Sequence, residues 1–500
     1  MVREHEMPVI VGVGEWRDRP ESLVEGLEPI DLMANAARRA EADAGARLLA
    51  AVDSVDVVNL VSWRYRDPAG LLAARLGIAP TRAEYGPVGG ESPVRYLHEA
   101  ALRIAAGQSA VALICGAEAQ YTADKAARQG IELPWTPFAH DAPAPVRART
   151  FAHPLAVQLG CANPVTVYPF YETASAAHWG QTPAEAQRES GVLWSRYAEA
   201  AAHNPYAWLG TRRTPEEILT PSPGNRRIAW PYNKLMVANP MVNLGAALIV
   251  TSLAAALRAG VPQERMVHIR GGAHANEPRD YLARDHYWES HAQNAVLQAC
   301  SGLVDAPFDA LELYSCFPCV PKMARRTLGL DDDVQPTVTG GLTFFGAPLN
   351  DYMTHAACAM VRRLRERPAE ATGLLYGQGE FVTKHHGLVL ARRPMPAGGL
   401  ADVGSVQARA DARRGPVPPI ETAPEGPARL EAFTILYGAD GSVQHGVAMV
   451  RTASGARTLA KVLAEDAATL AALTSESRSP VDRDGTLRPG DEGHSVWSAA

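Results

Sequence analysis

Glu91 stands where two glycines give way to a helix, in "VGGESPVRYLHEAALRIAAG" (88–107). Ser92 is placed to cap that helix, Pro93 to occupy its first turn, and Gly107 to close it. Backbone N–H groups at such a start attract negative charge, and the glycines let another group approach closely. A carboxylate there can work as a general base if burial raises its pKa, or can simply stabilise the helix end. A second candidate is Tyr314, at the end of the apolar strand "FDALELYSCF" (308–317). It is either a proton donor and acceptor or a buried tyrosine with a satisfied hydroxyl. In "FVTKHHG" (381–387), His385 titrates in the useful range, with Lys384 and His386 beside it; a structural histidine is the competing reading. Cys316 and Cys319 form a CxxC without a second pair, so they read as small buried residues, with Cys316 near Tyr314. His286 and His291 lack partners at metal-ligand spacing, and no metal is expected. "VGVGEW" (11–16) reads as a first strand rather than a dinucleotide site.

The elements that must position these residues occur twice. "VDVVNLVSW" (55–63) is a strand leading to a helix that ends in Leu-Gly-Ile; "FDALELYSCF" leads to one ending in Leu-Gly-Leu. Paired glycines follow in both halves, then "AVALICGAE" and "TGLLYGQGE". Asp56 and Asp309, Gly77 and Gly329, and Gly90 and Gly341 keep a nearly constant separation, which argues for a duplicated β-α unit. Alternating strands and helices predict a layered α/β architecture. The apolar face Val94, Leu97, Ala101 and Ile104 predicts that the helix after Glu91 is buried on that side.

The expected organisation is an N-terminal half over 1–250, interrupted by a Pro-, Arg- and aromatic-rich insertion at about 120–230. A C-terminal half over 251–400 follows, then a Pro-rich linker over 401–427. Three strands with Asp440-Gly441 and Ser454-Gly455 turns predict a small β domain over 428–480, barrel-like in shape, and 481–500 is expected to be disordered. With 500 residues, 47% hydrophobic and 20% charged, the composition is that of a globular protein of two or three domains. A net charge of −6 gives no hint of nucleic acid or an anionic membrane as partner, and six cysteines fit a reducing cytoplasm. "MVNLGAALIVTSLAAALRAG" (241–260) carries polar residues and reads as a buried strand running into a helix, not as a membrane span.

The blocks "VALICGAEA", "VNLGAALIVTS", "ELYSCF", "TGGLTFFGAP" and "GQGEFVTKHHG" resemble the thiolase superfamily over about residues 1–400. The resemblance is nearest to sterol-carrier-protein-type thiolases and thiolase-like proteins with an added C-terminal domain. It implies five layers, α-β-α-β-α, with a loop domain inserted in the first half, and an oligonucleotide-binding-type barrel as the added domain. It also implies that the position of the nucleophilic cysteine falls on Gly90. The histidine of the His-Glu-Ala-Phe block has become Tyr314, that of the Gly-His-Pro block Ala347, and the late cysteine position lies within Tyr376–Gly379. Claisen condensation through an acyl-cysteine is therefore not expected.

The implied ligand is an acyl-CoA or related thioester, as substrate rather than resident cofactor. Tyr314, Glu91 and His385 would share acid and base work, with backbone N–H groups near Gly90 polarising the carbonyl. Asn350 and Tyr352 either orient that carbonyl or cap the following helix. Arg212, Arg213, Arg226, Arg227 and Lys234, in the insertion, are placed to meet CoA phosphates or to form a solvated patch. The functions this leaves are a thioester-binding protein or acyltransferase without the cysteine, a retro-aldol lyase on β-hydroxyacyl-CoA, or a scaffold without turnover. A homodimer through the core is implied, a contact that an added domain either preserves or blocks.

Overall fold

The computed structural model describes residues 4–394, 400–401 and 403–500. The first three residues of the N-terminal half, 395–399 of the C-terminal half and 402 of the linker lie outside them. Four strands come first in the chain: β1 (Pro8–Arg17), β2 (Ser54–Val57), β3 (Arg82–Tyr85) and β4 (Val111–Ala119). The short hairpin of β5 (Arg227–Ala229) and β6 (Tyr232–Asn233) lies in the insertion. There follow β7 (Asn243–Ser252), β8 (Val267–Asn276), β9 (Ala310–Leu313), β10 (Thr372–Gly379), β11 (Lys384–Ala391) and the two-residue β12 (Gly404–Ser405). Five strands finish the chain: β13 (Gly426–Tyr437), β14 (Val443–Thr452), β15 (Arg457–Val462), β16 (Asp484–Pro489) and β17 (Ser495–Ala499).

The duplication read from the chain is present in the strand order. The first half runs β3-β2-β4-β7-β1 and the second β9-β10-β11-β8. In the first half β3–β2 and β2–β4 are parallel, in the second β9–β10 is, and in each the next two pairings are antiparallel. The halves meet through a short antiparallel join, Val9 opposite His268 and Ile10 opposite Val267. Helices Ser92–Ala105 and Tyr352–Arg365 contact strands of both halves and each other, so they form the middle layer. Helix Pro29–Ala44 covers the outer face of the first half, and His291–Ser301 that of the second. The result is the expected α-β-α-β-α sandwich.

The middle helix Ser92–Ala105 shows why these residues adopt this form. Val94, Leu97, Ala101 and Ile104 are fully buried at helical spacing. Gly107, at φ +68°, donates its N–H to Ile104 O, and Gln108 donates to Arg103 O, a left-handed stop that glycine adopts without strain. The start differs by one residue from expectation: Ser92 is already helical, and its hydroxyl donates to Pro87 O rather than capping. The apolar stretch 241–260 is strand β7 followed by helix Leu253–Arg258. Among the described residues, no helix is long and apolar enough to cross a membrane.

The C-terminal sheet closes on itself in the order β13-β14-β15-β17-β16 and back to β13. Residues 481–500, expected as a disordered tail, instead supply β16 and β17, and Trp497 is fully buried in the barrel core. The insertion touches this barrel, because Leu436 of β13 pairs with Ala229 of β5.

Candidate functional site

A cavity of about 410 Å³ opens between the two halves and the insertion. The turn Gly89–Gly90, Tyr314 and Cys316 beyond β9, and Gln378 at the end of β10 meet at it. The turn is held in place by Asn350, whose Oδ1 accepts from Gly89 N–H at 3.0 Å while its amide donates to Asn59 O at 3.0 Å. Asn350 also lines the cavity, and its side-chain bonds go to Gly89 and Asn59 rather than to the start of the following helix.

Gly90 leaves no room for a larger residue. A Cβ built there would lie 2.3 Å from Tyr314 Oη and 2.5 Å from Gln378 O. The phenol thus points to the place from which a residue-90 side chain would project. Its backbone N–H is tied to Tyr376 O at 3.1 Å, and its ring stands edge-on to Tyr352 with centroids 6.0 Å apart. Burial raises the Tyr314 hydroxyl well above its ordinary range, and Cys316 and Glu91 push the same way. It stays protonated near neutral pH and is a hydrogen-bond donor there. Cys316 accepts from Gln378 Nε2 at 3.1 Å, and burial pushes its thiol up to about 12, so it is not a thiolate nucleophile.

Gln378 continues the network. Its amide nitrogen donates to Tyr168 Oη at 2.7 Å, Tyr168 donates to Glu380 O at 2.7 Å, and Val382 N–H donates to Gln378 Oε1 at 3.1 Å. These bonds hold the β10–β11 turn, where Glu380 (φ +57°) and Val382 (φ +58°) adopt left-handed backbone that is costly for a branched residue such as valine.

Three expected site residues lie elsewhere. Tyr352 is fully buried and is not at the cavity. It donates to Glu312 Oε1 at 2.6 Å and accepts from Gly341 N–H at 3.0 Å. The other Glu312 oxygen accepts from Thr337, Val338 and Thr339, so Tyr352 belongs to a structural anchor behind Tyr314. His385 is also buried away from the cavity. Nδ1 is 2.8 Å from Tyr376 Oη, and Nε2 is 3.2 Å from Ser290 Oγ and 3.1 Å from Val382 O. Burial lowers its pKa to about 4, which leaves it neutral and fully engaged.

Glu91 turns to the far side of the Gly89–Gly90 turn, into a second, polar cavity of about 610 Å³ that it shares with His385 as well as Lys384, His98 and His386. Its carboxylate wedges between Gly89 and Gly379, where added Cβ atoms would approach its oxygens to 2.4 and 2.0 Å. Oε2 is buried without a hydrogen-bond partner, and burial raises the pKa against the pull of Lys384.

The basic cluster of the insertion does not reach the cavity either. Arg212 pairs with Glu199 at 2.8 Å, Arg213 with Glu217 at 3.2 Å, and Arg227 covers the Trp230 ring at 4.7 Å. Arg226 donates to Arg227 O, and Lys234 is exposed. Local partners satisfy most of these cations. The arginine at the cavity mouth is Arg147, from "PVRARTF", which sequence reasoning passed over together with Tyr168 and Gln378.

Comparison with known proteins places this geometry. Residues 406–489 match the family described as the thiolase-like protein type 1 additional C-terminal domain. No curated protein matches the chain in sequence. Among solved structures, the chain is similar to a monomeric SCP2-thiolase like protein type 1 (STLP1) from Mycobacterium smegmatis, at 29% identity, TM-score 0.82 and 100% coverage of both chains. An Ltp2-ChsH2(DUF35) aldolase matches at 20% identity and TM-score 0.60, over 78% of this chain and 99% of that one. Human mitochondrial 3-ketoacyl-CoA thiolase matches at 16% and 0.55, over 77% and 99%. The two-half core, the closed barrel and the match over 406–489 agree: the chain has the thiolase-like fold and carries the additional C-terminal domain described for thiolase-like protein type 1.

Proposed function

We propose that the cavity between the halves binds an acyl-CoA thioester and holds its carbonyl oxygen with the hydroxyl of Tyr314, without forming an acyl-enzyme. The observation that carries this reading is the 2.3 Å approach of a residue-90 Cβ to Tyr314 Oη. The group at the expected nucleophile position is a protonated phenol, which donates a hydrogen bond and does not attack. On a side chain as nearly buried as Tyr314 such a donor favours charge developing on a thioester oxygen. Arg147 at the mouth supplies a cation for the phosphates of the CoA moiety.

The test is calorimetric titration with S-acetonyl-CoA, a non-hydrolysable thioether that keeps a carbonyl oxygen, together with a turnover screen of acyl-CoA and β-hydroxyacyl-CoA substrates. Tyr314→Phe, which keeps the ring and removes the donor, should weaken analogue binding by roughly 10-fold, the value of about one hydrogen bond. No binding by the wild type, or equal binding by Tyr314→Phe, defeats the reading. Cleavage of a β-hydroxyacyl-CoA that is lost in Tyr314→Phe would identify a carbon–carbon lyase. Binding without consumption identifies a thioester-binding protein.

A further inference from the structure

The loop between β8 and helix His291–Ser301 carries a cluster with no part in the cavity. Among the described residues, Asp285, His286 and His291 place one ligand-type atom each within 4.8 Å of one another. Asp285 Oδ2 lies 2.8 Å from His291 Nε2 and 3.6 Å from His286 Nε2, and Glu289 Oε1 lies 3.7 Å from the same His286 nitrogen. Zinc-type bonds of about 2.0–2.2 Å in tetrahedral array set ligand–ligand edges of about 3.4 Å. The observed separations bracket that value.

We propose that Asp285, His286 and His291 form a three-ligand site for a divalent metal of the zinc class, with the fourth tetrahedral position open to water and Glu289 beside it. The surroundings are those of a braced site. Asp285 Oδ1 accepts from His286 N–H at 2.9 Å, and Oδ2 accepts from Gly415 N–H at 2.8 Å. Asn294 Nδ2 donates to Glu289 Oε2 at 2.6 Å, which leaves Oε1 on the His286 side. The His286 ring lies flat on Trp288 at 3.8 Å, and Trp288 lies flat on His178 at 4.7 Å. Outer partners of this kind fix ligand orientation in metal sites.

The charges balance. His291 begins a helix, whose positive end disfavours a bare cation, but Asp285 and Glu289 bring two negative charges. The nearby Arg284 and Arg457 are each paired, with Glu277 at 3.5 Å and Glu431 at 2.8 Å. Binding replaces the proton shared between His291 and Asp285, and that proton goes to solvent or to Nδ1. Because Arg457 of the barrel donates to Asp285 O at 2.9 Å and linker residue Gly415 bonds the Asp285 carboxylate, a metal here would stiffen the seat of the barrel on the core.

The test is titration of the metal-free full-length protein with Co²⁺. The expected result is intense visible absorption of tetrahedral cobalt that saturates at a single equivalent, is displaced by Zn²⁺, and accompanies a rise in Tm. His286→Gln and His291→Gln should abolish the band. If they fail to fold, Asp285→Asn, which keeps the side-chain shape and removes the charge, should weaken Co²⁺ binding by roughly 10–100-fold. A wild type that gives no tetrahedral band overturns the proposal, leaving the Asp285–His291 pair as a hydrogen bond. Variants that bind as the wild type does overturn it too.

Discussion

At Gly90 the chain brings a backbone turn against a phenol on one side and a carbonyl on the other, and the two neighbours differ in what they tolerate. Tyr314 can be trimmed, whereas Gln378 O, 2.5 Å from a residue-90 Cβ, is main chain. Gly90→Cys is therefore expected to cost about 1–3 kcal/mol in denaturant unfolding, and adding Tyr314→Ala should not restore the loss. The neighbouring carboxylate gives a pH prediction. Glu91 holds its proton more tightly folded than unfolded, so its contribution to stability is present in acid and lost as pH rises through the raised pKa. Glu91→Gln should flatten the stability profile above pH 4.5, the ordinary value, and match or exceed the wild type at neutral pH in thermal melts. His385 has the opposite sign. Its pKa falls from 6.5 to about 4, so the stability it contributes is present above 6.5 and lost as pH falls toward 4. His385→Gln should be less sensitive to acid in that window, as read from Tm at matched ionic strength.

Elements, rather than single groups, decide how much of this was legible in the chain. The middle helix was legible because its evidence is local: an apolar face at helical spacing, a proline in its first turn and a glycine at its end. Leu97, fully buried at its centre, should cost about 2–5 kcal/mol when changed to alanine. Strand order in the two halves was legible through repetition. The last two barrel strands were not. In β16 and β17 short polar stretches alternate around Leu487, Val496 and Trp497; they pair with each other as a hairpin and are seated in the barrel by β13 and β15, of which β13 is distant in sequence. The site divides in the same way. Tyr314 and Cys316 share one strand end and were read together. Gln378 and Tyr168, which complete their network, arrive from another strand and from the insertion, so nothing local announces them. Of the two readings of the basic cluster, the solvated patch fits its contacts, since Glu199 and Glu217 hold two of its arginines on the surface.

The whole molecule joins core and barrel through buried contacts, among them helix Pro164–His178 against β13. Arg457 is fully buried, pairs with Glu431 at 2.8 Å, and donates to the carbonyls of Leu282, Arg284 and Asp285. Arg457→Ala leaves the carbonyls of Leu282, Arg284 and Asp285 without their donor and should cost about 1–3 kcal/mol, read as earlier melting of the barrel and its seat. The hairpin of β5 and β6 extends the barrel sheet from within the insertion, so the barrel and the cavity wall share a segment of chain. Closure of that barrel depends on β17, which supplies the step between β15 and β16. During synthesis, at about 5–20 residues per second, the layered core can therefore collapse while the barrel still waits for its final strand to leave the ribosome. Through that interval β15 and β16 present unpaired backbone, so a nascent chain halted before Ser495 is the species most in need of a chaperone.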